Sequence, residues 1–396
     1  MHYRSDSDIN GLERDMVESQ HSIAQKIDFS LFIPSFRSGG TEHSVIRLAN
    51  WLATKDYVVH LVVLNANGPL FKKVGGNVQV INLEVSRAAY SFFSLIHYLV
   101  QNQPSVLVSN MVHLNLISVL ACRFIRKKPR LCLLERCDIS VHPLSDRKWK
   151  HVLLVLLMRW LYEKADVLGA VSEGAASSLA ETIGKAPDSI IVLPNSVDVQ
   201  SIERASRSKV EHVWLSKANP IPVIVSVGRL VPIKGFDDLI NAFSLLVKEV
   251  RARLLILGEG PDRARLEKMC KDLGLENAVE FPGYVENPFP IVRMADVFVL
   301  SSHSEGHPNA LLEALALGVP TVATDCPSGP REILLDGEIG FLTPVKDVEA
   351  MADAMRKSLE NRGLRRVLRE KGKQRARDFN IDRIGQTFLA QLDGDA

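Results

Sequence analysis

DVFVLSSHSEGHPNALLEALALGVPTVATD, Asp296 to Asp325, is the stretch that decides the fold. A short apolar run is followed by a polar loop, then by a segment that starts like a helix at Pro308 and Asn309, then by a second apolar run, "PTVATD". Neither run alternates apolar with polar residues. Strands apolar on both faces and joined by helices belong to parallel sheets covered on both sides. The same rhythm recurs along the chain. "FSLFIPSF", "VVHLVVLN", "VQVINLE", "SVLVSN", "RLCLLER", "DVLGAVS" and "SIIVLPN" read as strands of a first half. "IPVIVSVG", "ARLLILGEG", "VEFPGY", "DVFVLSS", "PTVATD" and "GFLTP" read as strands of a second. The predicted class is α/β, two doubly wound parallel sheets.

The chain has 396 residues, too many for one ordinary core, so two domains are expected. The polar stretch Gln200–Pro222 precedes a fresh strand and places the break. The boundaries read from this are a loose tail over 1–26, a first domain over 27–205, a second over 206–379 and a terminal segment over 380–396. That segment spaces Ile381, Ile384, Phe388 and Leu392 as one helical face and is expected to pack back on the first domain. Composition is that of a globular protein, 46% hydrophobic and 24% charged. A net charge of +2 points to no nucleic-acid partner. The five cysteines are scattered without a CxxC pair, which argues against a disulfide framework or structural zinc and fits a reducing compartment. The opening residues have no apolar core of a signal peptide, and no apolar run approaches the ~20 residues of a membrane span.

Ligands in such folds bind at the carboxyl ends of strands, so the loops after strands carry the search. "GRLVPIKGFDDLINAF", from Gly228, places Arg229 and Lys234 at the entry of a helix beginning near Gly235. Free N–H groups at a helix start plus two cations make a diphosphate site; two solvated loop cations are the plainer reading. "GEGPDRARLE", from Gly258, lacks the third glycine of a dinucleotide fingerprint and suits a turn that approaches a flat base. In "HSEGHPNALLEALALG", Asn309 is a candidate N-cap, and the N–H groups of Asn309, Ala310 and Leu311 would face the same diphosphate. Glu305 and Glu313 would be repelled by phosphate and suit hydroxyl groups instead. Glu313 is also explained by the preference for acids in a first helical turn. In the first half, "PSFRSGGTEHSVIRLANWLA" puts Gly39 and Gly40 between a strand and a helix, where backbone approaches a ligand closely.

"GGTE", "VSVGRLVPIKGFDDLINAF", "LLILGEGPDRARLE", "FPGY" and "SEGHPNALLEALALGVPTVATDCPSGPREIL" together resemble retaining glycosyltransferases of the GT-B fold, glycosyltransferase family 4. Glu305 and Glu313 match that family's pair of glutamates separated by seven residues. The resemblance implies two Rossmann-like domains facing across a cleft and a nucleoside diphosphate sugar, UDP-linked, as donor. It implies Arg229 and Lys234 on the diphosphate, Glu313 on the ribose and Glu305 on the transferred sugar. The Gly39–Gly40 loop would close over the phosphates. His113, in "SNMVHLNLIS", lies near the family's first-domain histidine beside the sugar; a structural polar group is the other reading. "ERCDIS", Glu135–Ser140, is expected on the acceptor side. No further cofactor and no metal is implied. The sequence offers no nucleophile on the sugar's far face, so front-face displacement with retention is the implied chemistry.

The acceptor implied is a glycan or lipid-linked saccharide, in surface polysaccharide or lipopolysaccharide synthesis. "CRFIRKKPR" and "RKWKHVLLVLLMRWLYEK" gather basic and aromatic residues, which suits contact with an anionic membrane by a cytoplasmic, peripheral enzyme. The second stretch equally suits a core helix. The basic run Arg356–Arg377 is read as solvated. Three other functions stay open: a sugar-nucleotide epimerase or hydrolase of the same architecture, a glycoside hydrolase using Glu305 and Glu313, and a non-catalytic sugar-nucleotide-binding protein.

Overall fold

The computed structural model describes residues 26–37, 39–137, 139, 148–216 and 220–393. The tail expected over 1–26 lies outside the described residues except for Lys26, as do Asp138 and Ser140 of the stretch assigned to the acceptor side.

Every apolar run named above is a strand. In the first half the order is β1 (Phe29–Ser35), α1 (Gly40–Ala53), β2 (Val59–Asn65), β3 (Val78–Asn82), α2 (Ser91–Asn102), β4 (Val106–Asn110), α3 (Val112–Arg123), β5 (Arg130–Glu135), α4 (Lys148–Tyr162), β6 (Val167–Ala170), α5 (Glu173–Ile183) and β7 (Ile191–Val192). After α6 (Val199–Ala205), the second half runs β8 (Val223–Val227), α7 (Phe236–Leu246), β9 (Arg253–Leu257), α8 (Arg263–Asp272), β10 (Val279–Gly283), α9 (Phe289–Met294), β11 (Val297–Leu300), α10 (Asn309–Ala316), β12 (Thr321–Thr324), α11 (Pro330–Ile333) and β13 (Phe341–Thr343). Three helices follow: α12 (Val348–Glu360), α13 (Arg362–Asp378) and α14 (Ile381–Asp393).

The strands form two sheets, β3-β2-β1-β4-β5-β6-β7 and β10-β9-β8-β11-β12-β13. Neighbouring strands are parallel throughout both. This is the doubly wound order in each case, and it fixes where a ligand can sit. The direction of winding reverses between β1 and β4 in one sheet and between β8 and β11 in the other. At such a reversal the two connecting loops part and leave a crevice beyond the strand ends.

Each sheet is buried on both faces. In the first, Phe32, Leu107 and Leu133 pack under α2 to α5 through Leu95, Leu114, Met158 and Leu179. On the other face Phe29, Leu31 and Ile33 pack against α1 and α14 through Leu52, Ile384, Phe388 and Leu392. In the second, Val225, Leu255 and Phe298 meet Leu311 and Leu315 of α10. Ile224, Ile256 and Val299 meet Leu239, Phe243 and Met355 on the opposite face. The chain crosses from the second unit to the first at Asn380, where Val197 N–H donates to the Phe379 carbonyl at 2.8 Å and Ile381 N–H donates to the Val197 carbonyl at 3.1 Å. Trp51 of α1 then donates its indole N–H to Asp382 at 2.8 Å.

Candidate active site between the two sheets

The two winding reversals face each other, and the candidate residues stand on the loops that leave them. Gly39 and Gly40 follow β1 and open α1; His113 is the second residue of α3, after β4, and is exposed. Arg229 and Lys234 lie in the loop after β8, and Glu305 to Asn309 in the loop after β11.

The β8 loop is pinned to the β11 loop. Gly235 takes a left-handed φ of 59°, and a Cβ there would lie 2.2 Å from the Ser301 carbonyl, so the turn that starts α7 requires glycine. Gly228 does not take a positive φ. Ser301 Oγ donates to the Lys234 carbonyl at 2.8 Å, and His303 N–H donates to the Ile233 carbonyl at 2.8 Å. With its backbone so held, Lys234 points its ammonium at Glu305: Nζ to Oε1 is 2.5 Å. Ser302 Oγ donates to the same carboxylate oxygen at 2.6 Å, and Ser328 Oγ donates to the Glu305 carbonyl at 2.6 Å. The expectation separated the two side chains, Lys234 on phosphate and Glu305 on hydroxyls. In the structure they are direct partners. Arg229, in the same loop as Lys234, is exposed.

Gly258 has φ 149°, and a Cβ there would meet the Gly228 carbonyl at 1.9 Å, while its N–H donates to the Gly283 carbonyl at 2.8 Å. Contact between the β8 and β9 loops by itself accounts for this glycine.

Asn309 is not the N-cap of α10. Pro308 occupies that position, with no side-chain cap bond. The Asn309 amide instead crosses the cleft and donates to the Gly40 carbonyl at 2.8 Å, tying the α10 start to the α1 start. Ala310 and Leu311 follow in the first turn, where N–H groups lack intrahelical partners. Glu313, one turn further, meets Arg47 of α1 across the cleft, 3.8 Å from Nη2 to Oε1. Burial pushes the Glu313 carboxyl up, while Arg47 and Lys73 pull it down.

Four residues of the cleft have no role of their own in the sequence reading, although Arg136 lies in "ERCDIS". Glu42, in the first turn of α1, has its carboxyl raised by burial and opposed by Arg229, Arg136 and Arg37. Arg136, just past β5, is held by two bonds to Asn110 Oδ1, at 2.9 and 2.6 Å, and one to Asn195 Oδ1 at 3.1 Å. Burial lowers its guanidinium to about 10. Asn195 Nδ2 in turn donates to the His307 carbonyl at 2.7 Å, linking the β7 loop to the β11 loop. Arg47 completes the set. Glu42 stands in the quoted "GGTE", and Arg136 follows a strand as the search rule requires. Asn195 likewise follows a strand, at the end of the quoted "SIIVLPN", and Arg47 stands in the quoted helix after Gly40 with no motif to mark it.

Glu135 does not line the acceptor side. It is fully buried beneath the cleft, accepting from Asn115 Nδ2 at 2.8 Å and from the Tyr162 hydroxyl. Burial raises its carboxyl to about 7.

Among the described residues, Asp237, Asp238 and His303 form one group whose ligand atoms lie within 4.8 Å of one another. His303 Nε2 meets Asp238 at 2.6 Å, and Arg265 meets Asp237 at 3.6 Å, so both carboxylates already have partners.

Two family models match the chain: Glycosyltransferase Family 4 over residues 38–201 and Glycosyl transferases group 1 over 212–375. Among similar proteins is the N-acetylgalactosamine-N,N'-diacetylbacillosaminyl-diphospho-undecaprenol 4-alpha-N-acetylgalactosaminyltransferase of Campylobacter jejuni. It is 29% identical over 377 residues, 92% of this chain and 99% of that one. The lipopolysaccharide core biosynthesis glycosyltransferase LpsE of Rhizobium meliloti is 36% identical over 184 residues, 46% of this chain and 53% of that one. The Anabaena HepE structure in complex with UDP superposes with a TM-score of 0.75 at 18% identity, covering 93% of this chain and 100% of that one. That likeness concerns the fold, which is GT-B.

Proposed function

The chain belongs to glycosyltransferase family 4 and is a glycosyltransferase, and on that premise we propose that it moves a hexose or N-acetylhexosamine from a UDP-linked sugar to a lipid-linked saccharide, with retention of anomeric configuration. The Campylobacter relative is named for an acceptor on undecaprenol diphosphate, and the Rhizobium relative for lipopolysaccharide core synthesis. The HepE structure holds UDP. These support a place in surface polysaccharide or lipopolysaccharide assembly, at the cytoplasmic face of a membrane.

The observation that carries the reading is the Lys234–Glu305 pair at the β8/β11 reversal, opposite the Gly40 loop. An ammonium already matched by a carboxylate is poised to exchange partners. When a donor enters, Lys234 and Arg229 take the diphosphate together with the N–H groups of Ala310 and Leu311. Glu305 is released toward the sugar hydroxyls, and Glu313 toward the ribose. The bond from the anomeric carbon to the β-phosphate oxygen breaks, and a bond to the acceptor oxygen forms on the same face. The acceptor proton passes to the departing phosphate oxygen, and the charge developing there is stabilised by Lys234 and Arg229. His113 approaches from the first domain. The reading assigns no cofactor beyond the donor.

The test compares Lys234→Ala with Glu305→Ala. Loss of Lys234 is expected to weaken UDP binding about 10-fold or more, the worth of a charged hydrogen bond, and to remove most transfer. Loss of Glu305 is expected to remove transfer while bare UDP still binds. Wild-type turnover in both variants would sink the assignment. UDP release without a glycosylated product would favour hydrolysis.

A further inference from the structure

Glu42 and Arg136 carry opposite charges on the first-domain wall of the cleft, yet among the described residues neither is in an ion pair. Glu42 is buried, with 9% of its surface exposed. Its carboxylate folds back over the start of α1. A Cβ on Gly39 would lie 2.2 Å from Oε2, so the absent side chain of Gly39 leaves the room that the carboxylate occupies. Arg37, Arg136 and Arg229 act on this carboxylate by charge without touching it. Arg136 is held by neutral oxygens instead. Asn110 Oδ1 accepts from its Nε at 2.9 Å and from its Nη2 at 2.6 Å, and Asn195 Oδ1 accepts from its Nη1 at 3.1 Å. Asn110 Nδ2 donates in turn to the Phe32 carbonyl at 3.2 Å. An acid in a first helical turn is favoured by the helix dipole, but the dipole does not require it to be buried. Opposite charges withdrawn from water ordinarily pair, because an unpaired buried charge is costly. Here the two asparagines fix the guanidinium away from the carboxylate, and both groups stay open to a ligand.

The second domain brackets this pair. The Arg136 carbonyl abuts Gly306, where a Cβ would lie 2.2 Å from it, and the Gly40 carbonyl takes the Asn309 amide at 2.8 Å. Both contacts come from the loop after β11 that carries Glu305. The pair therefore lies beside the place assigned to the transferred sugar and the diphosphate. Charge repulsion excludes phosphate as the partner of Glu42. A saccharide suits both groups. A carboxylate accepts from a hydroxyl, a guanidinium donates to an oxygen, and two neighbouring hydroxyls meet one of each. Nη2 carries two hydrogens and gives one to Asn110, so one N–H is left for such an oxygen.

We propose that Glu42 and Arg136 determine acceptor specificity: the Glu42 carboxylate accepts from the attacking hydroxyl of a saccharide, and Arg136 donates to the oxygen of the hydroxyl next to it. Together they select which hydroxyl is glycosylated. This deepens the proposed function and rests on it. Glu42 orients the hydroxyl and keeps no proton. As the acceptor oxygen bonds to the anomeric carbon, the bond from that carbon to the β-phosphate oxygen breaks, and the hydroxyl proton passes to that phosphate oxygen. The side chains assigned above to the diphosphate and ribose stand on the second domain, so loss of either charge should show on the acceptor side.

Transfer by the full chain is measured from UDP-hexoses and UDP-N-acetylhexosamines to polyprenyl diphosphates that carry one N-acetylhexosamine. Glu42→Gln and Arg136→Lys are each expected to raise the acceptor KM about 10-fold or more, as loss of a charged hydrogen bond does, while the donor KM and the stabilisation by UDP stay as in the wild type. Glu42→Asp, which retains the charge, should recover part of the loss. Acceptors lacking single hydroxyls give the sharper readout. Deoxygenation at the position bound by Arg136 should cost the wild type about 10-fold or more and cost Arg136→Lys nothing further, a coupling that a merely structural residue would not show. A lowered melting temperature with both KM values shifted marks a structural pair and overturns the proposal. Weakened UDP binding in Arg136→Lys puts the guanidinium on the donor and overturns it as well. An unchanged acceptor KM in both variants, with UDP binding and transfer intact, rejects the acceptor assignment alone. A wild type that is neither stabilised by UDP nor able to transfer any of these sugars rejects the functional reading beneath it.

Discussion

Glu135 shows how one buried group sets a pH dependence. Its carboxyl titrates at about 7 in the fold against 4.5 as its ordinary value, the shift being due to burial. Between those pH values the folded chain holds a proton that the unfolded chain releases. Stability therefore falls as pH rises through this window, by about 3 kcal/mol once above it. Glu135 Oε2 and Asn115 Oδ1 have no hydrogen-bond partner in the protein. Glu135→Gln is expected to flatten the stability profile between pH 5 and 8 and to stabilise the protein by about 1–3 kcal/mol at the upper end. Urea unfolding at a series of pH values checks this, and an unchanged slope would refute it. The sequence does not announce such behaviour, since Glu135 ends a strand like any residue at a site edge. Its fate is decided by Asn115 and Tyr162, which only the fold brings to it. The cleft has the same limit. Glu305, Lys234 and Asn309 are legible as residues of post-strand loops, but their partners are not. Asn309 and Gly40 are separated by 269 residues, and Lys234 and Glu305 by 71.

At the scale of elements, legibility was high for a physical reason. Strands buried on both faces have no polar side to disguise them, and all the apolar runs read as strands are strands. Helix α4 was the ambiguous element, because a helix apolar all round is either core or membrane surface. The structure divides it: one stripe is buried in the core and the other is exposed. Loop docking was not legible. A glycine in "GEGPDR" suggests a ligand, whereas Gly258 is required by its φ of 149° and by the Gly228 carbonyl 1.9 Å from its absent Cβ. Gly258→Ala is expected to cost about 2–4 kcal/mol, combining backbone strain with displacement of the β8 loop. The midpoint of urea unfolding reads the cost directly, and a loss below about 0.5 kcal/mol, the range of surface substitutions, would show that the loop yields.

For the molecule as a whole, the cleft geometry depends on how the two sheets are joined. Glu332 of α11 is one joint. Its carboxylate accepts from the Glu173 N–H at 2.9 Å and the Gly174 N–H at 3.0 Å, capping α5 from across the junction. Anions are favoured at a helix start. Glu332→Ala is expected to lower stability by about 1–2 kcal/mol and to speed hydrogen exchange at these two amides; unaltered exchange would count against a joint here. The other joint is α14. Ile384, Phe388 and Leu392 complete a core begun by Phe29, Leu31 and Trp51. During synthesis every strand of the second sheet is made before α14 is. The first sheet, although translated earlier, keeps one flank of α1 uncovered until residues 381–392 arrive. The domain made first is thus the domain finished last, and a nascent chain stalled just short of α14 would expose that flank to chaperones.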